Sequence, residues 1–407
     1  MSRPGYAAVL RAPHASRTFV AALVARLSYG TVSLAMILST ARATGSYAVA
    51  GVVMALFGAL SVFLSPVRAG LIDRFGPRRA LVPMTSVYAA LLAVFAVVAW
   101  RPGAPGWAVG AVAVAAGACT PPIGPTMRAV WGQVAPEPGM LQRAYSLDGV
   151  AEEVLFVSGP LLVGALVRWA PPAAGVALSA VLVLSGTFAF VTSPVVAGVR
   201  PVRRVKERAG GRPGAGRALL RPVVVAAGVG LALGAVDLLV VAFAGEHHHG
   251  DAAVAWVFAA LSAGSAVGGL LNGAVNWRIS AASRLSLAAA GLGLALIGAG
   301  LAPGLGVLAV AVACAGVFVG PALTTAYLLA DESAPPGRRT RAGAWGNTGV
   351  NAGSSGGAAG IGLLVGRVPL GLCFALAGAS ALLAALLSAY DRTGTPRVAA
   401  AEQPARV

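Results

Sequence analysis

Charged residues are scarce in this chain, at 11% against 57% hydrophobic residues, and the mean hydropathy is +0.81. That balance excludes a soluble protein of ordinary make-up. Lysine is nearly missing: Lys206 is the only one, so the P-loop, which needs its Lys, is ruled out. Cysteine is limited to Cys119, Cys314 and Cys373, far apart and all in apolar stretches. An odd count without a CxxC pair leaves no disulfide framework and no zinc site, and reads as small buried apolar side chains. No histidine falls inside an apolar stretch and no HExxH occurs, which removes the common zinc protease motif and a His-dependent intramembrane Ser protease. Strict polar–apolar alternation is lacking too, which argues against a membrane β-barrel.

What the chain has is apolar runs of about 20 residues, each long enough to cross ~30 Å of hydrocarbon as a helix. Only helices or closed barrels satisfy their backbone in lipid, so the expected fold class is an all-α polytopic membrane protein. Twelve spans are predicted, at 18–40, 47–70, 79–100, 105–128, 144–167, 173–196, 222–244, 252–275, 284–301, 304–329, 342–366 and 369–390. Arg3, Arg11 and Arg17 precede the first run, which is too long for a signal-peptide core and is read as a retained span. The formal charge of +17 suggests a nucleic-acid partner until its placement is followed. Apart from Arg42, Arg101, Arg168 and Arg367 on one side and Arg26 within a span, the basic residues are assigned to the other side. That is the positive-inside pattern, so both termini are placed in the cytoplasm, in a cell membrane, and nucleic acid is not expected as a partner.

Four segments follow: a six-helix half at 1–196, a basic cytoplasmic linker at 197–221, a second half at 222–391 and a cytoplasmic tail at 392–407. The linker, with Arg200, Arg203, Arg204, Lys206, Arg208, Arg212, Arg217 and Arg221 among Gly and Pro, suits attraction to anionic lipid. The halves echo each other in order: Gly70-x-x-Asp73-Arg74 with Gly273-x-x-Asn276-Trp277-Arg278, Gly124-Pro125 with Gly320-Pro321, and Ala144-Tyr145 with Ala344-Trp345. An internal duplication with its interface at the midplane marks secondary transporters.

The turn between spans two and three reads Gly70-x-x-Asp73-Arg74-Phe75-Gly76-x-Arg78-Arg79. With two six-helix halves and a basic central loop, this resembles the major facilitator superfamily over essentially the whole chain. The resemblance implies a carrier that rocks its halves about a central site, usually as a monomer, without a cofactor. It also gives Gly70, Asp73, Arg74, Gly76, Arg78 and Arg79 the role of a conformational latch. Physically, Asp73 would cap the N-terminus of span eleven, with Arg128 as a further partner, while the arginines anchor to headgroups. Gly159-Pro160-x-x-x-Gly164 in span five looks like a reduced antiporter-associated motif, a helix kink that favours export modestly.

The ionisable residues within spans are the candidates for chemistry, because a charge near a helix centre costs ~2.5–3.5 kcal/mol on insertion scales. Span one carries Arg26, and span five carries Asp148, Glu152 and Glu153 at similar depth, so Arg26 is expected to pair with Glu152 or Glu153. Tyr145, Asp148, Glu152 and Gly159 share one helix face, and Glu153 points about 100° away. One carboxylate can then neutralise Arg26 while another exchanges protons; a static salt-bridge network and direct recognition of a cationic substrate stay open. Asp237 in span seven is a second candidate for proton or substrate. Tyr29 in span one and Asn347 and Asn351 in span eleven are candidate substrate contacts, and Gly349, Gly353 and Gly357 at spacing four suit close helix packing. His247, His248 and His249 beside Glu246 and Asp251 are read as a solvated loop, with no metal site. The favoured function is proton-driven export of a small organic solute, with a lean to neutral or cationic compounds. Proton–solute symport on the same fold and a receptor or assembly subunit without transport are the alternatives; an enzyme is not expected.

Overall fold

The computed structural model describes residues 5–199, 215–248, 250–335 and 337–390. The linker arginines from Arg200 to Arg212, His249 and the tail at 392–407 lie outside them. The described residues are helical, with no strand beyond an isolated bridge between Val365 and Val368. A short helix α1 (Tyr6–Arg11) precedes α2 (Ala15–Thr44). The second span is two helices, α3 (Tyr47–Phe63) and α4 (Ser65–Phe75), and α5 (Pro77–Val98) is the third. The fourth is likewise divided, into α6 (Gly106–Cys119) and α7 (Ile123–Val134). Then come α8 (Pro138–Leu166), α9 (Ala173–Val191) and the short α10 (Pro194–Ala197). The second half holds α11 (Ala215–Glu246), α12 (Asp251–Ala274), α13 (Ala281–Ala299), α14 (Leu305–Glu332), α15 (Arg339–Leu364) and α16 (Leu370–Tyr390).

Eleven of these spans are long and apolar enough to cross a membrane, counting α3–α4 and α6–α7 as one each. The remaining span, α15, is too rich in Gly, Ser and Asn to stand out by hydropathy, yet it packs along α11 and reaches α4 and α7. Its Thr340, Thr348, Gly349 and Gly357 are buried against these neighbours, so much of its small and polar face is covered by protein. The two broken spans differ from the uninterrupted helices expected at 47–70 and 105–128. Pro66 and the Thr120-Pro121-Pro122 run explain both breaks, since proline removes a donor and clashes with the preceding turn. By contrast α8 runs through Pro160 as one helix.

Apolar residues form two cores. One, around Tyr88, Phe95, Trp131 and Phe190, belongs to the first half, with Leu328 joining it and Tyr327 and Ala281 packed against it from the second. The other, around Leu239, Leu292, Leu308 and Phe374, belongs to the second half. Lipid supplies no hydrophobic drive between helices, so close packing of small residues carries more of the load. A Cβ on Gly159 of α8 would fall on the backbone of Gly30 in α2. The same holds across α11 and α15, where Gly353 and Gly357 face the carbonyls of Ala227 and Leu231. Cys373 is buried and Cys119 half-buried, but Cys314 is exposed on α14, contrary to the buried reading of all three.

The polar contacts that join the halves all lie between the middle of the bundle and its arginine-rich end, among the described residues. At that end Arg284 donates to Gln142 at 2.6 Å and Arg143 to Asn276 at 2.9 Å. The bundle is therefore shut at the basic end. Gly353→Val is expected to destabilise the protein by about 1–3 kcal/mol or more, because α11 cannot retreat. Gly356→Val, which meets open space, should leave the unfolding temperature in detergent unchanged.

Candidate functional site

Helix spacing brings Asp148 and Glu152 of α8 to one face, and α2 and α7 each present an arginine to them. Arg26 Nη1 lies 2.7 Å from Asp148 Oδ1, and Arg26 Nη2 lies 3.1 Å from Glu152 Oε2. Arg128 Nη2 lies 3.0 Å from the same Glu152 oxygen, and Arg128 Nε lies 3.4 Å from Asp148 Oδ2. Asp148 is 1% exposed, Arg26 3% and Arg128 5%. Only Glu152 reaches the cavity surface appreciably, with 31% of its side chain exposed. Two guanidinium groups and two carboxylates thus cancel within one buried square. Opposite charges at this distance and burial offset a desolvation cost of several kcal/mol per ion.

The second half closes over the square. The Arg128 guanidinium stacks on the Tyr327 ring of α14, 3.8 Å from its centroid. Tyr327 donates to Asn347 Oδ1 at 3.3 Å, and Asn351 Nδ2 donates to the Asn347 carbonyl at 2.8 Å. Tyr145 donates to the Arg128 carbonyl at 3.2 Å. Two cavities flank this site and share Arg128, Glu152, Phe156, Asn347 and Asn351. One, of about 170 Å³, extends between α8, α12 and α14; the other, of about 270 Å³, extends to the breaks in spans two and four.

Glu153 takes a separate path. It faces the smaller cavity, and Ser265 of α12 donates to its Oε1 at 2.9 Å, a bond between the two halves. No ion pair to Glu153 occurs among the described residues. Arg26 therefore pairs with Asp148 as well as Glu152, and not with Glu153. Tyr29 lines the larger cavity and donates to the Pro121 carbonyl freed by the helix break. Asp237 is exposed on α11, outside the linings of both cavities and apart from the square. His247 stacks on Phe243 at 4.0 Å.

The expected Arg128–Asp73 pair is corrected. Span four continues to Val134, so Arg128 sits in mid-helix at cavity depth, not at the basic mouth. Asp73 instead accepts from the backbone N–H groups of Thr340 and Arg341, at 3.2 and 2.9 Å, in the first turn of α15. Gly76 between α4 and α5 has φ +85°, a conformation that favours glycine. Gly70 packs against the Arg341 side chain, and Arg74, Arg78 and Arg79 are exposed. In the second half Asn276, standing where the first has Asp73, accepts from Arg143 of α8.

Sequence reasoning missed Arg68, which was counted with the surface arginines. It is 6% exposed and donates to the carbonyls of Gly117 and Ala118, both at 2.7 Å, and of Ser61. Those carbonyls lie beside the two helix breaks, that of Gly117 also accepting from Thr120, and Thr348 of α15 donates to a further one, Val62, at 3.0 Å. Its signal was an arginine two residues after Ser65-Pro66 in an apolar run.

The sequence model of the Major Facilitator Superfamily matches residues 18–358 and 222–406. Among solved structures, a bacterial homologue of the iron transporter ferroportin, in an outward-facing state, is similar with TM-score 0.73 at 15% identity, covering 93% of this chain and 99% of that one. The human organic anion transporter MFSD10 (TETRAN) gives 0.70 at 18%, covering 95% and 100%. The fucose:proton symporter of E. coli gives 0.62 at 15%, covering 93% and 99%. A search of curated proteins finds no match. Transporters, not enzymes, make up this set.

Removing one member of the buried square strands its partner. Arg26→Gln or Asp148→Asn alone should each cost about 3–5 kcal/mol, and the double variant less than the sum. Thermal unfolding of the four proteins in detergent measures this; strictly additive losses would show that the pair does not interact.

Proposed function

Since the chain belongs to the Major Facilitator Superfamily, we propose that it exports a small organic solute across the cell membrane by alternating access, driven by inward proton flow. Glu153 is the carboxylate that exchanges the proton. The observation that carries this reading is the division of labour on α8: Asp148 and Glu152 are held between two arginines, whereas Glu153 has no ion pair among the described residues and accepts from two serine hydroxyls of α12, Ser265 and Ser262. A proton arriving at Glu153 changes a bond between the halves, which ties protonation to their relative movement. Asp237, with no ion pair among the described residues, is a second point where a proton or solute can bind. Tyr29, Asn347 and Asn351 contribute solute contacts from the cavity walls.

A proton crossing ~100 mV releases about 2.3 kcal/mol, sufficient for a solute gradient of roughly 50-fold. Cells expressing the protein should therefore accumulate less of some member of a panel of anionic, neutral and cationic fluorescent compounds, and a protonophore should abolish the effect. Glu153→Gln should bring the gradient from that limit towards about 1 at normal membrane abundance. Glu152→Gln should instead lower abundance, because it leaves buried guanidinium charge uncompensated. Efflux that survives Glu153→Gln intact would refute the coupling assignment, and solute uptake with protons would favour symport.

The Asp73 contacts support a latch that holds the outward-facing state, with Gly70, Gly76 and the neighbouring arginines shaping the turn. A carboxylate at a helix N-terminus contributes ~0.3–1 kcal/mol. Asp73→Asn should accordingly raise labelling of Asn347→Cys from the cytoplasmic side by up to about 5-fold. The measurement uses an impermeant maleimide in a background without Cys119, Cys314 and Cys373; unchanged labelling would remove the latch.

A further inference from the structure

The larger cavity is richer in positive charge than the sequence suggests. Arg26, Arg68 and Arg128 all line it, each at least nine-tenths buried, and Glu152 is the carboxylate among its lining residues. With Asp148 included, three guanidinium groups stand against two carboxylates, and both carboxylates are engaged by Arg26 and Arg128. Arg68 has no ion pair among the described residues, and its Nε has no hydrogen-bond partner. Its other contacts are neutral carbonyls. One buried positive charge is left over.

A second feature converges on the same wall. Because Thr120-Pro121-Pro122 breaks span four, α7 starts in mid-membrane, and Ile123 and Gly124 of its first turn line the cavity. Pro122 and Pro125 carry no N–H and Ile123 donates to the Pro121 carbonyl, so the Gly124 N–H is the first-turn donor without a backbone partner among the described residues, and the helix dipole adds positive potential there, which suits an anion. Broken membrane helices direct half-helix N-termini at anionic substrate groups in this way. The other lining side chains include Phe57, Tyr88 and Phe156, which suit an apolar body.

Building on the carrier reading above, we propose that the solute is a small organic monoanion whose carboxylate sits between Arg68 and the start of α7, its apolar body against Phe57 and Phe156. This reverses the lean towards neutral or cationic solutes, which rested on the few acids expected in the cavity and took no account of its buried arginines. It also fits export: an anion leaving and a proton entering both move down an interior-negative potential.

Three probes of nearly one shape test the proposal: 1-naphthoate, 1-naphthamide and 1-naphthylmethylammonium, titrated by calorimetry into the purified full chain in detergent. The carboxylate should bind about 10-fold more tightly than the amide, and the ammonium more weakly than either. Arg68→Gln should bring the carboxylate down to the affinity of the amide, while Arg68→Lys, which keeps the charge, should retain the preference. If Arg68→Gln does not fold, the wild-type ranking and Arg68→Lys decide. Equal binding of the three, tighter binding of the ammonium, no binding of any, or a preference that survives Arg68→Gln overturns the proposal. The readout requires neither protons nor transport, so naphthoate binding without protonophore-sensitive efflux would count against proton coupling and leave the anion site standing.

Discussion

The buried square of Arg26, Asp148, Arg128 and Glu152 is the interaction on which the rest of the centre depends. Inside a bilayer no water is at hand to solvate a lone charge, so four charges in one place persist only by cancelling one another. The square joins three helices of the first half, α2, α7 and α8. It also turns Arg128 towards Tyr327, where the second half meets it. With Asp148 and Glu152 occupied, the neighbouring Glu153 is the α8 acid left to interact across the halves, through Ser265. Carboxylates with and without an arginine partner are thereby neighbours along a single helix.

The second constraint is backbone satisfaction. Breaking spans two and four frees carbonyls at a depth where lipid cannot pair them. Arg68 donates to three carbonyls beside the breaks and Thr348, from the other half, to a fourth. The breaks place a helix N-terminus and a guanidinium on one cavity wall, so the repair of the backbone also shapes the proposed solute site. Around it, glycine contacts between α2 and α8 and between α11 and α15 bring helices within backbone reach. The small residues thus pack helices closely within each half, and the two cavities beside the charged square are lined from both.

Much of the fold was legible in the sequence because hydropathy, the charge asymmetry and the Gly70–Arg79 turn are local signals. Spacing along α8 also placed Asp148 and Glu152 on one face and Glu153 off it. What escaped was depth and partnership. Arg68 and Arg128 were read as surface charges because a hydropathy window does not register that α4 and α7 continue past the apolar run to Phe75 and Val134. The Pro121-Pro122 pair was a visible break signal that the length of the span concealed. Ser265 and Tyr327 gave no signal at all, since their roles arise only where the two halves pack together.

The central claim is that the α8 acids differ in kind: two are locked by arginine and one exchanges a proton. Infrared difference spectra of the purified protein, recorded across a pH titration, test it most directly through the carbonyl stretch of protonated carboxyl groups. The account predicts a titrating band that disappears in Glu153→Gln and persists in any Glu152→Gln protein that can be purified. A band that survives Glu153→Gln and vanishes with Glu152→Gln would contradict it.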